Sequence, residues 1–166
     1  CEANIPLVTS SDGEDYYAMG TDIVRRRRAL SWVAEPKRLE LIKERSKMIE
    51  GIRANLALAG SMEVSTPVLQ PVYGGASAEP FVTTHNALGK DLFLRISPEL
   101  YLKRLVIGGV PFVHEFATCF RNEGIDRTHN PEFTLLEFYK AGENYEWGMM
   151  MTEFLVKEAI GMDHLG

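Results

Sequence analysis

The sequence runs to 166 residues, 45% of them hydrophobic and 25% charged, a globular balance at a one-domain length. A net charge of −5 and a pI of about 5.4 exclude a broadly basic nucleic-acid-binding surface. No apolar run approaches the roughly 18 residues of a membrane span, and the opening residues lack the basic-then-apolar pattern of a secretory leader. Two cysteines, Cys1 and Cys119, make neither a disulfide framework nor a metal site, so a reduced, cytoplasmic protein is expected. A first residue of Cys1, in place of Met, suggests an excised or incomplete chain.

Residues 1–24 are polar and turn-rich and read as a lead-in, with one domain expected over 25–166. The run Arg25-Arg26-Arg27-Arg28 is usually a solvated face; direct RNA contact is the alternative reading. Pro36 to Ala59 predicts a long amphipathic helix, with Ile42, Ile49, Ile52 and Leu56 at helical spacing and Gly60 at its end. Met62-Glu63-Val64 is a short extended piece stopped by Pro67. Glu79–His85 and Leu92–Ile96 predict two strands around a turn at Leu88-Gly89-Lys90. Ser97-Pro98 opens a short helix that ends at Gly108-Gly109. Pro111–Phe120 and Glu132–Lys140 are β-rich runs, and Asn144 caps a last helix reaching Ile160. Together these elements predict an α/β domain with a mainly antiparallel sheet flanked by helices.

The ten-residue polar link between the last two strands exceeds an ordinary hairpin loop of about 2–5 residues, which points to a task for it. A period of two puts Glu115, Cys119 and Arg121 on one face of the first strand, and Phe133, Glu137 and Tyr139 on one face of the second. A guanidinium, two carboxylates, a phenol and an aromatic ring suit a ligand with an anionic group, a cationic group and a flat ring. Composition alone leaves a solvated hairpin with Phe133 and Tyr139 in the core on level terms.

The segment Phe120-Arg121-Asn122-Glu123-Gly124, followed by His129-Asn130-Pro131-Glu132-Phe133-Thr134 and Glu137, resembles the motif 2 hairpin of class II aminoacyl-tRNA synthetases. Arg95-Ile96-Ser97-Pro98-Glu99-Leu100-Tyr101-Leu102-Lys103-Arg104-Leu105 narrows the resemblance to the lysyl branch. Gly74-Gly75-Ala76-Ser77-Ala78-Glu79-Pro80-Phe81 and His85-Asn86-Ala87-Leu88 do the same. The long helix with Glu63-Val64-Ser65-Thr66-Pro67 is similar to motif 1.

The resemblance implies that Arg121 binds the ATP α-phosphate and the lysine carboxylate. Glu123 and Asn130 would place adenine and phosphates, Phe133 would stack on adenine, and His129 would order the ATP tail. Glu99 and Tyr139 would hold the lysine ε-ammonium; Glu137 and the carbonyl of Gly75 would hold its α-ammonium. No residue is read as a metal ligand, magnesium is implied as an assisting ion, and ATP would bind without a P-loop. Lysine, ATP, tRNA(Lys) and a second subunit across the motif 1 helix are the implied partners.

Nothing resembles motif 3 or the anticodon-binding domain, so an incomplete catalytic half, unable to form lysyl-tRNA at a normal rate, is expected. Ser61 and Ser65 stand where motif 1 usually has an aromatic and Glu. A synthetase-like module that binds ATP, lysine or a partner without catalysis is the alternative. A ligase that attaches lysine to elongation factor P is a third reading.

Overall fold

The computed structural model describes residues 7–9, 15–17, 26–35 and 37–161. These fall into two compact units, Cys1–Ile52 with Glu158–Gly166, and Arg53–Lys157. The expected junction at residues 24 and 25, with Arg25 and Pro36, lies outside the described residues.

In the first unit, β1 (Leu7–Thr9) pairs antiparallel with β2 (Asp15–Tyr17), two strands in a stretch read from sequence as a polar lead-in. A short helix α1 (Arg28–Ala34), also not anticipated, follows the exposed Arg26 and Arg27. Helix α2 (Lys37–Leu58) runs through the boundary between the units. Its apolar stripe is packed only at its far end. Leu56 is buried, Ile49 and Ile52 are half-buried, and Ile42 is exposed. Helical spacing predicts which residues share a face, but not whether that face meets a partner.

The second unit holds two three-stranded sheets. In the first, β3 (Met62–Glu63) runs parallel to β7 (Phe112–Phe120), which pairs antiparallel with β8 (Glu132–Lys140) over nine residues. In the second, β6 (Lys90–Leu94) lies antiparallel between β4 (Leu69–Gln70) and β5 (Val82–His85). The sheets are thus mainly antiparallel, as the sequence predicts, but divided.

Both α2 and α3 (Glu99–Ile107) stop in the same way. Ser61 N–H bonds Leu56 C=O and Gly60 N–H bonds Ala57 C=O, with Gly60 at φ +85°. Val110 to Leu105 and Gly109 to Val106 repeat the pattern, with Gly109 at φ +105°. Each glycine accepts the left-handed conformation that this ending requires. Helix α4 (Tyr145–Ile160) begins where Asn144 Oδ1 accepts the Trp147 N–H at 3.1 Å.

The β7–β8 register divides the hairpin into two faces. One carries Val113, Ala117 and Cys119 and packs α3, whose Leu102 is fully buried. On the other, Phe112, Phe138 and Trp147 meet edge to face, at centroid separations of 5.4–6.4 Å. His114 also lies there, its Nδ1 2.8 Å from the Ser61 hydroxyl. Among the described residues its Nε2 is buried without a hydrogen-bond partner, and burial pushes the ring's pKa below 6.5. The ring is therefore neutral, and its 3.9 Å approach to Glu63 is no ion pair; Arg53 holds that carboxylate at 2.7 Å.

Two tests follow from the packing. A depressed folded-state pKa means that the unfolded chain takes up the proton first. His114 should thus stabilise the fold above pH 6.5 and lose that contribution as pH falls below it. Chemical denaturation across this range should give a flatter pH dependence for His114→Gln than for the parent; parallel curves would show that the ring is not held neutral. Arg95 and Glu115 form a buried ion pair at 2.5 Å, so Arg95→Met should cost about 3–5 kcal/mol by urea unfolding. The double change Arg95→Met with Glu115→Leu should recover much of that loss.

Candidate functional site

The hairpin's register brings the sequence-selected residues to one face. Glu115 stands opposite Glu137, Cys119 opposite Phe133 and Val113 opposite Tyr139. Glu115 turns out to belong to the interior: it is 2% exposed and takes Arg95, the Thr66 hydroxyl and the Thr66 N–H. Cys119 is fully buried, and burial pushes its thiol up to about 11, so it stays protonated and serves packing.

At one end of the face, a tight group forms where α3 begins. The Ser97 hydroxyl donates to Glu137 Oε1 at 2.8 Å and accepts the Glu99 N–H at 3.0 Å. Tyr139 O–H donates to Glu137 Oε2 at 3.2 Å. Burial, then the charges of Glu137 and Glu99, raise the Tyr139 pKa well above the ordinary phenol value, which keeps that proton in place. Lys103 reaches Glu99 Oε1 at 2.6 Å, and its ammonium also lies 5.6 Å from the Tyr139 ring centroid. Gly75 closes over this group at φ +89°; a Cβ there would meet Glu99 Cβ at 2.8 Å and Ser97 Oγ at 2.9 Å. Glu99, Glu137, Tyr139 and Gly75 thus come together.

At the other end, Arg121 continues the ladder through its N–H to Pro131 C=O at 2.9 Å. Its guanidinium rests on the Phe133 ring, 5.0 Å from the centroid, and its Nε is buried without a hydrogen-bond partner among the described residues. Asn122 N–H bonds Glu79 C=O and Glu79 N–H bonds Glu123 Oε1 at 3.3 Å, so the loop's start is tied to the segment before β5. Asn130 donates to Glu132 C=O at 2.8 Å.

The loop's tip organises around Asp126. It accepts the Thr128 N–H and hydroxyl and the His129 N–H, and it meets His129 Nδ1 at 2.7 Å. The Thr128 N–H first, then the His129 ring, hold its carboxyl well below the usual carboxylate range. His129 is exposed and engaged with Asp126, and nothing in the structure brings it against Arg121 or Phe133.

Three participants were not selected from sequence as site residues. Ser97 was read as a helix start and as part of the lysyl-type segment, yet it links α3 to β8. Lys103 and Arg95 drew attention only inside the lysyl-type segment. A cation four residues after Glu99 on a helix is the one local signal that could have flagged Lys103.

A family model described as tRNA synthetases class II (D, K and N) matches residues 20–164. The chain is 50% identical over 133 residues to the lysine--tRNA ligase of Chloroflexus aurantiacus, covering 80% of this chain and 27% of that protein. It is 52% identical over 135 residues to lysine--tRNA ligase 2 of Methanosarcina acetivorans, covering 81% and 26%. The lysine--tRNA ligase of Ralstonia nicotianae is 48% identical over 134 residues, covering 81% and 26%. The chain therefore spans about a quarter of the length of these relatives.

The Gly75 contact is directly testable. Gly75→Ala adds a strained backbone and a collision with two α3-start residues, so a loss of about 1–3 kcal/mol is expected by denaturant titration. Gly74→Ala should be milder, because its Cβ meets only the Leu100 side chain. Equal losses would show that the strap does not press on the site.

Proposed function

The chain belongs to the class II tRNA synthetase family of the D, K and N type, and from that premise we propose that its hairpin face activates lysine with ATP. The observation that carries this reading is the group of Ser97, Glu99, Glu137 and Tyr139 under Gly75, with Arg121 and Phe133 farther along the same face. Two carboxylates suit a ligand with two ammonium groups. Phe133 and Glu137 lie about 13 Å apart along β8, so one extended ligand pair can span both ends.

In this reading Glu99 and Tyr139 take the ε-ammonium, and Glu137 with the Gly75 carbonyl takes the α-ammonium. Arg121 draws the lysine carboxylate and the α-phosphate together, and its unpartnered Nε supports that role. Its cation–π contact, about 0.5–2 kcal/mol for a half-buried pair, is weaker than a charge-assisted pair of hydrogen bonds to an anion. A phosphate can thus draw the guanidinium from the ring, leaving Phe133 to stack on adenine. Glu123, Asn130 and His129 would complete the nucleotide's surroundings.

The reaction needs no protein nucleophile. A lysine carboxylate oxygen bonds to the α-phosphorus as the bond to pyrophosphate breaks, leaving lysyl-adenylate. The protein's part is to align two anionic reactants and neutralise their repulsion. Transfer to tRNA(Lys) would follow in the complete enzyme, with the cytoplasm as the proposed setting. Among the described residues, no three His, Cys, Asp or Glu side chains gather to hold a metal. In this reading magnesium would be held chiefly by the phosphates of ATP and by water, with at most one or two carboxylates of the protein.

A homodimer through α2 is part of the proposal, supported by exposed Leu41, Ile42 and Met48 on that helix. Among the described residues no helix is long and apolar enough to cross a membrane.

Calorimetric titration tests the site. ATP affinity should fall in Arg121→Ala and in Phe133→Ala, the latter by about 1–3 kcal/mol if a base stacks on the ring. Lysine should bind better than norleucine, and Glu99→Gln should erase most of that preference. Identical ATP affinities in all three proteins, or an unchanged lysine preference, would overturn the assignment.

A further inference from the structure

Lys103 does more than pair with a neighbour one helical turn away. Glutamate preceding lysine by four residues is the favourable order for an exposed helix pair, and such a pair alone requires nothing from another element. Here the ammonium that meets Glu99 at 2.6 Å also lies over the ring of Tyr139, on β8. Tyr139 donates to Glu137, and Glu137 accepts Ser97, whose oxygen takes the Glu99 N–H. The cation is therefore seated among the groups assigned above to the ligand's ε-ammonium.

We infer that Lys103 is the resident cation of the ammonium pocket: it occupies the ε-ammonium position when the site is empty and must swing out to admit a diamine ligand. This rests on the reading of the site as a lysine site. The charges support an exchange over an addition. Two carboxylates and one protein ammonium leave the group with a single net negative charge. Lysine brings two ammonium groups, and these balance Glu99 and Glu137 only once Lys103 has left.

The exchange is physically accessible. The Lys103 side chain is half-exposed, so its ammonium can return to water at little desolvation cost, whereas Glu99 is more enclosed. An exposed ion pair is worth little, which makes the resident cation displaceable yet still a competitor. Lys103 thereby becomes a specificity-determining residue. It spares the empty site an unpaired carboxylate, and a ligand without a side-chain ammonium leaves it undisturbed on Glu99.

Titration of the 166-residue chain with lysine and with norleucine decides the point. Removing the competitor in Lys103→Met should tighten lysine binding roughly two- to fivefold at low salt, the factor expected for release of an exposed ion pair. The gain should shrink as salt screens the pair. Norleucine, which brings no ε-ammonium, should gain nothing. Lys103→Arg keeps a cation and should bind lysine like the parent. Unchanged lysine affinity in Lys103→Met, with the parent binding lysine well, would overturn the role of Lys103 while leaving the lysine site standing. An equal gain for norleucine would also overturn it, by removing the link to the ε-ammonium. No lysine binding by parent or variant would overturn the site reading and this inference together.

Discussion

Arg95 carries a charge into the interior of the second unit, and the geometry of the site depends on how that charge is satisfied. It is 3% exposed, with Nη1 bonded to Glu115, the Thr66 carbonyl and the Thr66 hydroxyl, and Nε bonded to the Thr118 carbonyl. Its backbone joins in: the N–H goes to Val68 C=O and the carbonyl takes the Phe120 N–H. One residue thus joins the segment after β3, the end of β6 and three positions along β7. A buried charge with so many defined partners tolerates little displacement, since each lost bond leaves a desolvated group. Four residues later, Glu99 starts α3. Fixing Arg95 therefore fixes where Ser97 can reach across to Glu137.

What could be read from the sequence was what repeats locally. The strands β7 and β8 are nine residues each, and a period of two assigns their faces without knowledge of the fold. Phe133, Glu137 and Tyr139 were accordingly placed together with Cys119 and Glu115. Helix ends at Gly60 and Gly109 were legible because only a left-handed residue completes that ending. The two-residue strand β4 was not, lying between Pro67 and Pro71, where neither propensity nor period extends far enough to register. The α2 stripe misled for a different reason: Ile42 has the right spacing but is exposed, with no neighbour among the described residues that covers it. Period two likewise put Glu115 and Glu137 on one face without separating them. Arg95 takes one into the interior, and Ser97 and Tyr139 hold the other at the site.

The site's two carboxylates differ in the kind of partner they keep, and that difference has consequences for how the site would work. Glu137 is held by two neutral hydroxyls, Ser97 and a Tyr139 whose proton is secured by burial. Neither partner carries charge, so Glu137 keeps its negative charge available to an incoming ammonium and keeps its orientation once that ammonium leaves. Glu99 is held by a cation on a flexible stem and by its place on the first turn of α3, where the helix dipole favours an acid. Its orientation is set by the backbone and its charge is covered by something that can move. On the proposed reading, a rigid acceptor beside one with a movable cover would suit a ligand whose two ammonium groups arrive unequally: the α-ammonium would meet a ready site, and the ε-ammonium would compete for its own. Discrimination would then reside at Glu99, because only a ligand bearing the second cation could replace what it displaces.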